Sequence, residues 1–180
     1  SQSDPPASLN RTITNYQTAN AAVTYEREEL PSTQDNWELG GDYEHNFGNG
    51  GKYKFLFIVN EEDRATTRES FVSSVLGGAE TKDLFLDTSS KYQERIARTS
   101  YTWPVAAEQS LELGIEGAQT IQNSALRLGL NLPGEPSADF GGLRPIPVPK
   151  AFSTVEEVRF EGFAIHNWQI NSRTSLESSL

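Results

Sequence analysis

The sequence predicts an all-β protein, an antiparallel meander of long amphipathic strands, and three observations carry that prediction. Apolar side chains recur with period two rather than 3.6 over several stretches. Those stretches end at clusters of glycine, asparagine and proline, the residues that reverse or interrupt extended chain. The segment Trp37 to Val59 combines both signals, with two alternating runs joined by Gly48-Asn49-Gly50-Gly51.

Taken in order, Ser1 to Asn10, with Asp4-Pro5-Pro6, reads as a loop. Ile13 to Glu26 is rich in Thr, Tyr, Val, Asn and Ala and reads as a strand, broken by the polar run Leu30 to Asn36. In the hairpin that follows, Trp37, Leu39, Gly41, Tyr43, His45 and Phe47 share one face, and Glu38, Asp42, Glu44 and Asn46 the other. The turn accepts positive φ cheaply. Beyond it Tyr53, Phe55, Phe57 and Val59 again oppose Lys52 and Lys54.

Residues 60–90 are polar, with one apolar island at Leu84-Phe85-Leu86, and read as a long loop. Lys91 to Trp103 alternates, placing Ala97, Thr99, Tyr101 and Trp103 opposite Glu94, Arg98, Ser100 and Thr102. Pro104 to Gln109 reads as a short turn. From Ser110, Leu111, Leu113, Ile115 and Gly117 oppose Glu112, Gly114, Glu116 and Ala118, a pattern that continues to Leu130. Asn131 to Val155 reads as a second long loop, containing Arg144-Pro145-Ile146-Pro147-Val148-Pro149. A last hairpin joins Glu157–Ile170 to Thr174–Leu180 through 171–173.

Composition narrows the function classes. A formal net charge of −10 opposes nucleic-acid binding, which needs clustered cations. The absence of cysteine removes disulfides, thiolate metal sites and cysteine nucleophiles together. No stretch approaches the ~20 consecutive apolar residues of a membrane-spanning helix, whereas alternating strands of a β-barrel average out as polar and escape that test. With no methionine in the sequence, the chain is expected to be a processed product or a piece of something longer.

The alternation of connections is the sharpest guide to architecture. Compact domains favour links of about 4–6 residues. Here short turns at 48–51, 104–109 and 171–173 alternate with loops at 60–90 and 131–155, as in outer-membrane barrels. Phe47, Tyr53, Tyr101, Trp103 and Trp168 sit beside the short turns, as an interfacial aromatic girdle would. On this reading Glu38, Asp42, Glu44, Lys52, Lys54, Glu94, Arg98, Glu112, Glu116 and Glu161 line a hydrated lumen, and the sheet is part of a transmembrane β-barrel in the bacterial outer membrane.

Other chemistry finds little purchase. His45 and His166, the two histidines, read as interfacial side chains rather than metal ligands, and a Ser-His hydrolase lacks a placed serine and an orienting carboxylate. Glu61-Glu62-Asp63 lacks the spacing of a calcium loop. Arg144 to Lys150 reads as a stiff loop rather than a polyproline ligand, and Gly77-Gly78 lacks the context of a phosphate loop. No catalytic residue, cofactor or metal is expected.

The segments Asp35-Asn36-Trp37-Glu38-Leu39-Gly40-Gly41-Asp42-Tyr43-Glu44, Ser110-Leu111-Glu112-Leu113-Gly114-Ile115-Glu116-Gly117-Ala118 and Arg159-Phe160-Glu161-Gly162-Phe163-Ala164-Ile165-His166-Asn167-Trp168 resemble barrel strands of TonB-dependent outer-membrane receptors. The resemblance runs from about Asn20 onward. It implies a 22-stranded barrel closed by an N-terminal plug, importing a scarce nutrient such as a siderophore or oligosaccharide with energy relayed by TonB. About seven or eight strands are counted, with no plug-like region and no TonB box, so residues 1–180 are expected to form a partial β-barrel domain from the interior of a larger receptor. The implied partners are outer-membrane lipid, the remainder of the barrel and its plug, the TonB complex acting through that plug, and the nutrient, recognised by the loops at 60–90 and 131–155. The alternative is a soluble antiparallel β-sheet binding module, with Tyr53, Phe55 and Phe57 buried against a second sheet.

Overall fold

The computed structural model describes residues 2–15 and 22–180. It is all-β: β1 (Gln2–Asn15), β2 (Ala22–Asn46), β3 (Lys52–Ser73), β4 (Thr81–Ala106), β5 (Gln109–Leu130), β6 (Arg144–Ile146), β7 (Phe152–Asn171) and β8 (Thr174–Ser179). One antiparallel meander orders them β1-β2-β3-β4-β5-β7-β8, with the short β6 laid on β5. A 3-10 turn, Ala138–Phe140, interrupts the link from β5 to β7.

The strands are far longer than the alternating runs alone indicated. Residues 60–90, expected as a loop, are mostly the end of β3 and the start of β4, and their connection is only 74–80. Charge alone suggested a loop, but here cross-strand partners satisfy it: Gln34 donates to Glu62 at 2.9 Å, Gln93 to Glu61 at 2.6 Å, Thr67 to Asp87 at 3.0 Å, and Lys91 faces Asp63 at 3.7 Å.

Prolines misled in the same way. The Gln2–Asn10 stretch, expected as a loop, lies in β1, and Leu30 to Asn36, expected as a break, lies inside β2. Leu30 pairs with Ala7 and Ser32 with Asp4, so Pro31 stands opposite a register shift that contains Pro5 and Pro6. At such an irregularity no ladder hydrogen bond is asked of a residue without an N–H. Pro104 likewise lies within β4, which runs to Ala106, so the turn is only 107–108. The middle of the strand expected from Ile13 to Glu26 lies outside the described residues.

The chain divides into two compact units: Ser1–Asn36, Glu62–Lys91 and Gln122–Thr154 form the first, and Trp37–Glu61, Tyr92–Ile121 and Val155–Leu180 the second. The second holds the tight turns at 47–51, 107–108 and 172–173. At the first of these, Gly50 adopts φ 81°, its N–H bonds to the Phe47 carbonyl at 3.0 Å, and the Asn49 side chain accepts from Gly51 N–H at 3.0 Å. The first unit holds the connections 74–80 and 131–151.

Neither unit has a conventional core. Leu143 is the only buried apolar side chain among the described residues, whereas Glu28, Ser70 and Ser100 are buried polar ones. A sheet normally packs its apolar face on a second layer. No second layer is present among the described residues.

Candidate functional site

Three surfaces carry chemistry: two faces of the second unit, and the long connection of the first. Of the twenty large apolar side chains exposed among the described residues, sixteen belong to the second unit, so its apolar surface is a regional property rather than scattered exposure. Trp37, Leu39, Tyr43, Phe55, Leu113 and Ile115 occupy odd positions on β2, β3 and β5, and Val158 and Phe160 continue the face on β7. Contacts fix this parity: a Cβ at Gly41 would come within 2.9 Å of the Phe57 ring, and one at Gly117 within 3.1 Å of Phe160.

At the turn end of the same face the rings meet one another. Tyr43 stacks on His45 at 6.4 Å, His45 meets Phe47 edge-on at 4.6 Å, Phe47 meets Tyr101 at 5.7 Å and Tyr101 meets Trp103 at 5.8 Å. Tyr53 joins through Tyr43 at 6.4 Å. Four of the five residues expected as an aromatic girdle thus belong to one continuous cluster. Trp168 stands apart from it on β7, paired in register with Leu176 of β8.

The opposite face is ionic. Lys52 meets Glu44 at 3.2 Å, Arg98 meets Glu116 at 3.8 Å, and Arg159 bridges Glu116 at 3.4 Å and Glu161 at 3.2 Å. The Arg98 guanidinium also lies 4.1 Å from the centre of the Phe163 ring. Asn60 donates to Glu94 at 3.0 Å on this face. Glu38, Asp42 and Glu112 lie on the same strands but join no ion pair among the described residues. The sequence pattern identified the acidic members of this face; it missed Arg159 and Phe163, whose neighbours on adjacent strands only the register supplies.

The histidines serve separate places, His45 between Tyr43 and Phe47, and His166 with Nε2 3.1 Å from Gln109 Oε1. The carboxylates Glu61, Glu62 and Asp63 meet Gln93, Gln34 and Lys91 in turn. Groups of three or more His, Asp or Glu side chains placed to hold a metal are absent among the described residues. No helix among them is long and apolar enough to cross a membrane, a fact that says nothing of spanning strands.

In the first unit, 131–151 is a built loop rather than slack chain. Arg144 to Ile146 pair with Leu130 to Leu128, the Arg144 guanidinium donates to the Pro133 carbonyl at 2.6 Å, and Ser137 N–H bonds to the Leu143 carbonyl at 3.0 Å. Lys82 ties the loop to β4, donating to the Gly141 carbonyl at 3.2 Å and to Glu69 at 2.7 Å. Beside it Arg27 lies 4.3 Å from the centre of the Phe71 ring, reaches Glu80 at 2.7 Å and contacts Glu29. The Arg27 guanidinium holds the Glu80 carboxyl below the usual carboxylate range, and Glu80 and Glu29 together raise the Arg27 pKa. Arg68 pairs with the buried Glu28, which raises the Arg68 pKa in turn. An open cleft of about 500 Å³ in the same unit is lined by Thr33, Asp63, Ser89, Lys91, Asn123 and Thr154 among others.

Compared with known protein families, with curated proteins and with solved structures, the chain matches none.

Proposed function

We propose that this chain is wall and loop of a bacterial outer-membrane receptor of the TonB-dependent type, which binds a scarce small-molecule nutrient and imports it with energy relayed by TonB. The observation that carries the reading is the one-layer sheet whose second unit leaves sixteen large apolar side chains exposed. In water so much exposed apolar surface is an aggregation hazard; against lipid it is the required surface. The aromatic cluster beside the turns suits the headgroup region, where rings with one polar edge are favoured. The ionic face suits a hydrated lumen.

Strand length supports the same reading. A transmembrane strand needs about 9–11 residues, whereas β2 to β5 have 25, 22, 26 and 22. The surplus falls in the first unit, whose strands carry polar side chains on both faces and pair them across the sheet, as Gln34 does with Glu62 and Thr67 with Asp87. The expected plug and the rest of the barrel would supply the partners that close the sheet and receive TonB. Recognition of the nutrient is assigned to the connection 131–151.

Membrane fractionation of cells that make the protein tests this. It is expected in the outer-membrane fraction, released by detergent but not by alkaline salt, with uptake lost when TonB is removed. Recovery as a monodisperse soluble protein without detergent would leave the binding-module alternative in its place.

A further inference from the structure

The connection 131–151 and the end of β5 enclose an open groove of about 580 Å³, in the range that takes small organic ligands. Its half-buried apolar lining comes from Leu126 of β5, Phe140 of the 3-10 turn, and Ile146 and Val148 of the proline run, and Phe140 lies on the side of β5 that Arg127 and Gly129 share. Phe152 adds an exposed ring at the rim. Two cations, Arg127 and Lys150, line the same groove, both exposed, against the one carboxylate of Asp139. None of these three joins an ion pair among the described residues. The lining is thus net positive on a chain whose formal net charge is −10.

The groove is also shaped in advance. Leu126 N–H bonds to the Ala151 carbonyl at 2.7 Å, Ala151 N–H to the Val148 carbonyl at 3.1 Å, and Asn131 N–H to the Asp83 carbonyl at 3.0 Å. Pro145, Pro147 and Pro149 fix φ along one wall. A wall that need not be ordered on binding leaves more of the contact energy for affinity.

We infer that this groove binds a small amphipathic organic anion, its apolar or aromatic body against Phe140 and Val148 and its acidic group between Arg127 and Lys150. Apolar lining and basic rim together select for that class: a sugar leaves the apolar lining unused, and an organic cation meets like charge. The inference rests on the proposed function only in taking this loop as the element that meets a ligand.

The test is calorimetric titration of the purified protein with 1-naphthoate and with 1-naphthylmethylammonium, which share a ring and differ in charge. Naphthoate is expected to bind at least about tenfold more tightly, with the preference shrinking as salt rises. Arg127→Gln and Lys150→Gln, both at exposed positions, are each expected to weaken naphthoate roughly three- to tenfold and to leave the cation unweakened. Equal affinities for the two probes, or naphthoate affinity unchanged in the double variant, would overturn the inference. Fractionation of the double variant separates the two readings, since these substitutions leave membrane residence untouched.

Discussion

Ile115→Arg sets the membrane reading against the aqueous one, because the two assign it different consequences. Ile115 is 64% exposed on the apolar face of β5. In water, replacing an exposed side chain is expected to change stability by no more than about 0.5 kcal/mol. In a bilayer the magnitude follows from its depth. The share of β5 in the second unit runs from Gln109 to Ile121, about 44 Å along an antiparallel strand. At a tilt near 40° that is about 34 Å of height, enough for the ~25 Å apolar band and its interfaces. Ile115 stands at the middle of that share. An arginine near the midplane destabilises a barrel by about 2–4 kcal/mol, which shifts the folding equilibrium by roughly 30- to 1000-fold. The assay is urea unfolding of the protein in lipid vesicles, followed by the emission of Trp37, Trp103 and Trp168, all of which lie in the second unit. Glu112→Gln, on the other face of the same strand, is the control and is expected to shift the transition little. An Ile115→Arg transition that coincides with wild type, or a control that shifts as far, would refute the placement of this face against lipid.

Two further outcomes test the first unit. Arg27 depresses the Glu80 pKa, so the stabilisation their pair lends to the turn at 74–80 is complete above the ordinary carboxylate pKa of about 4.3 and is lost as pH falls through the lower folded value. Amide exchange in 74–80 should therefore be faster, relative to its intrinsic rate, near pH 3 than near pH 6, and Glu80→Gln should erase that difference; equal protection at both pH values in wild type would contradict the pair's role. Gly141→Ala places a side chain at φ 65°, with its Cβ 2.5 Å from the Phe85 ring, and is expected to cost about 1–2 kcal/mol in backbone strain besides the clash. It should loosen 131–151, measured as weaker naphthoate binding, while leaving the vesicle unfolding transition of the second unit near wild type.

Where the sequence was legible, one face of a strand was apolar and the other charged. Trp37 to Asn46, Tyr53 to Val59, Lys91 to Trp103 and Ser110 to Ala118 all lie in strands, and the charges assigned to one face do meet there, as Lys52 meets Glu44 and Arg98 meets Glu116. The reading failed where both faces are polar. Glu61 to Ser73 shows no hydrophobic alternation, because its side chains are satisfied by neighbours on other strands rather than by burial. Such pairing leaves no mark within a single strand's sequence. The groove beside 131–151 was hidden for a related reason: Leu126 and Arg127 are remote in sequence from Phe140 and Val148, and only the return of the chain along β5 through β6 joins them. The run Ile146-Pro147-Val148 was the one local hint, read as stiffness rather than as a wall.

The order of the strands also governs how the sheet can be built. In the described meander most strands pair with the one before them in sequence, and the links 47–51, 74–80, 107–108 and 172–173 are short. The entropy of closing each hairpin is therefore small and is recovered at once by a full ladder, so each hairpin can zip from its turn without waiting for distant chain. Only β7 must find β5 across 131–151, and β6 shortens that search by drawing the connection back along β5. A meander in this order can grow one strand at a time, with each newly added strand presenting its unpaired backbone as the template for the next.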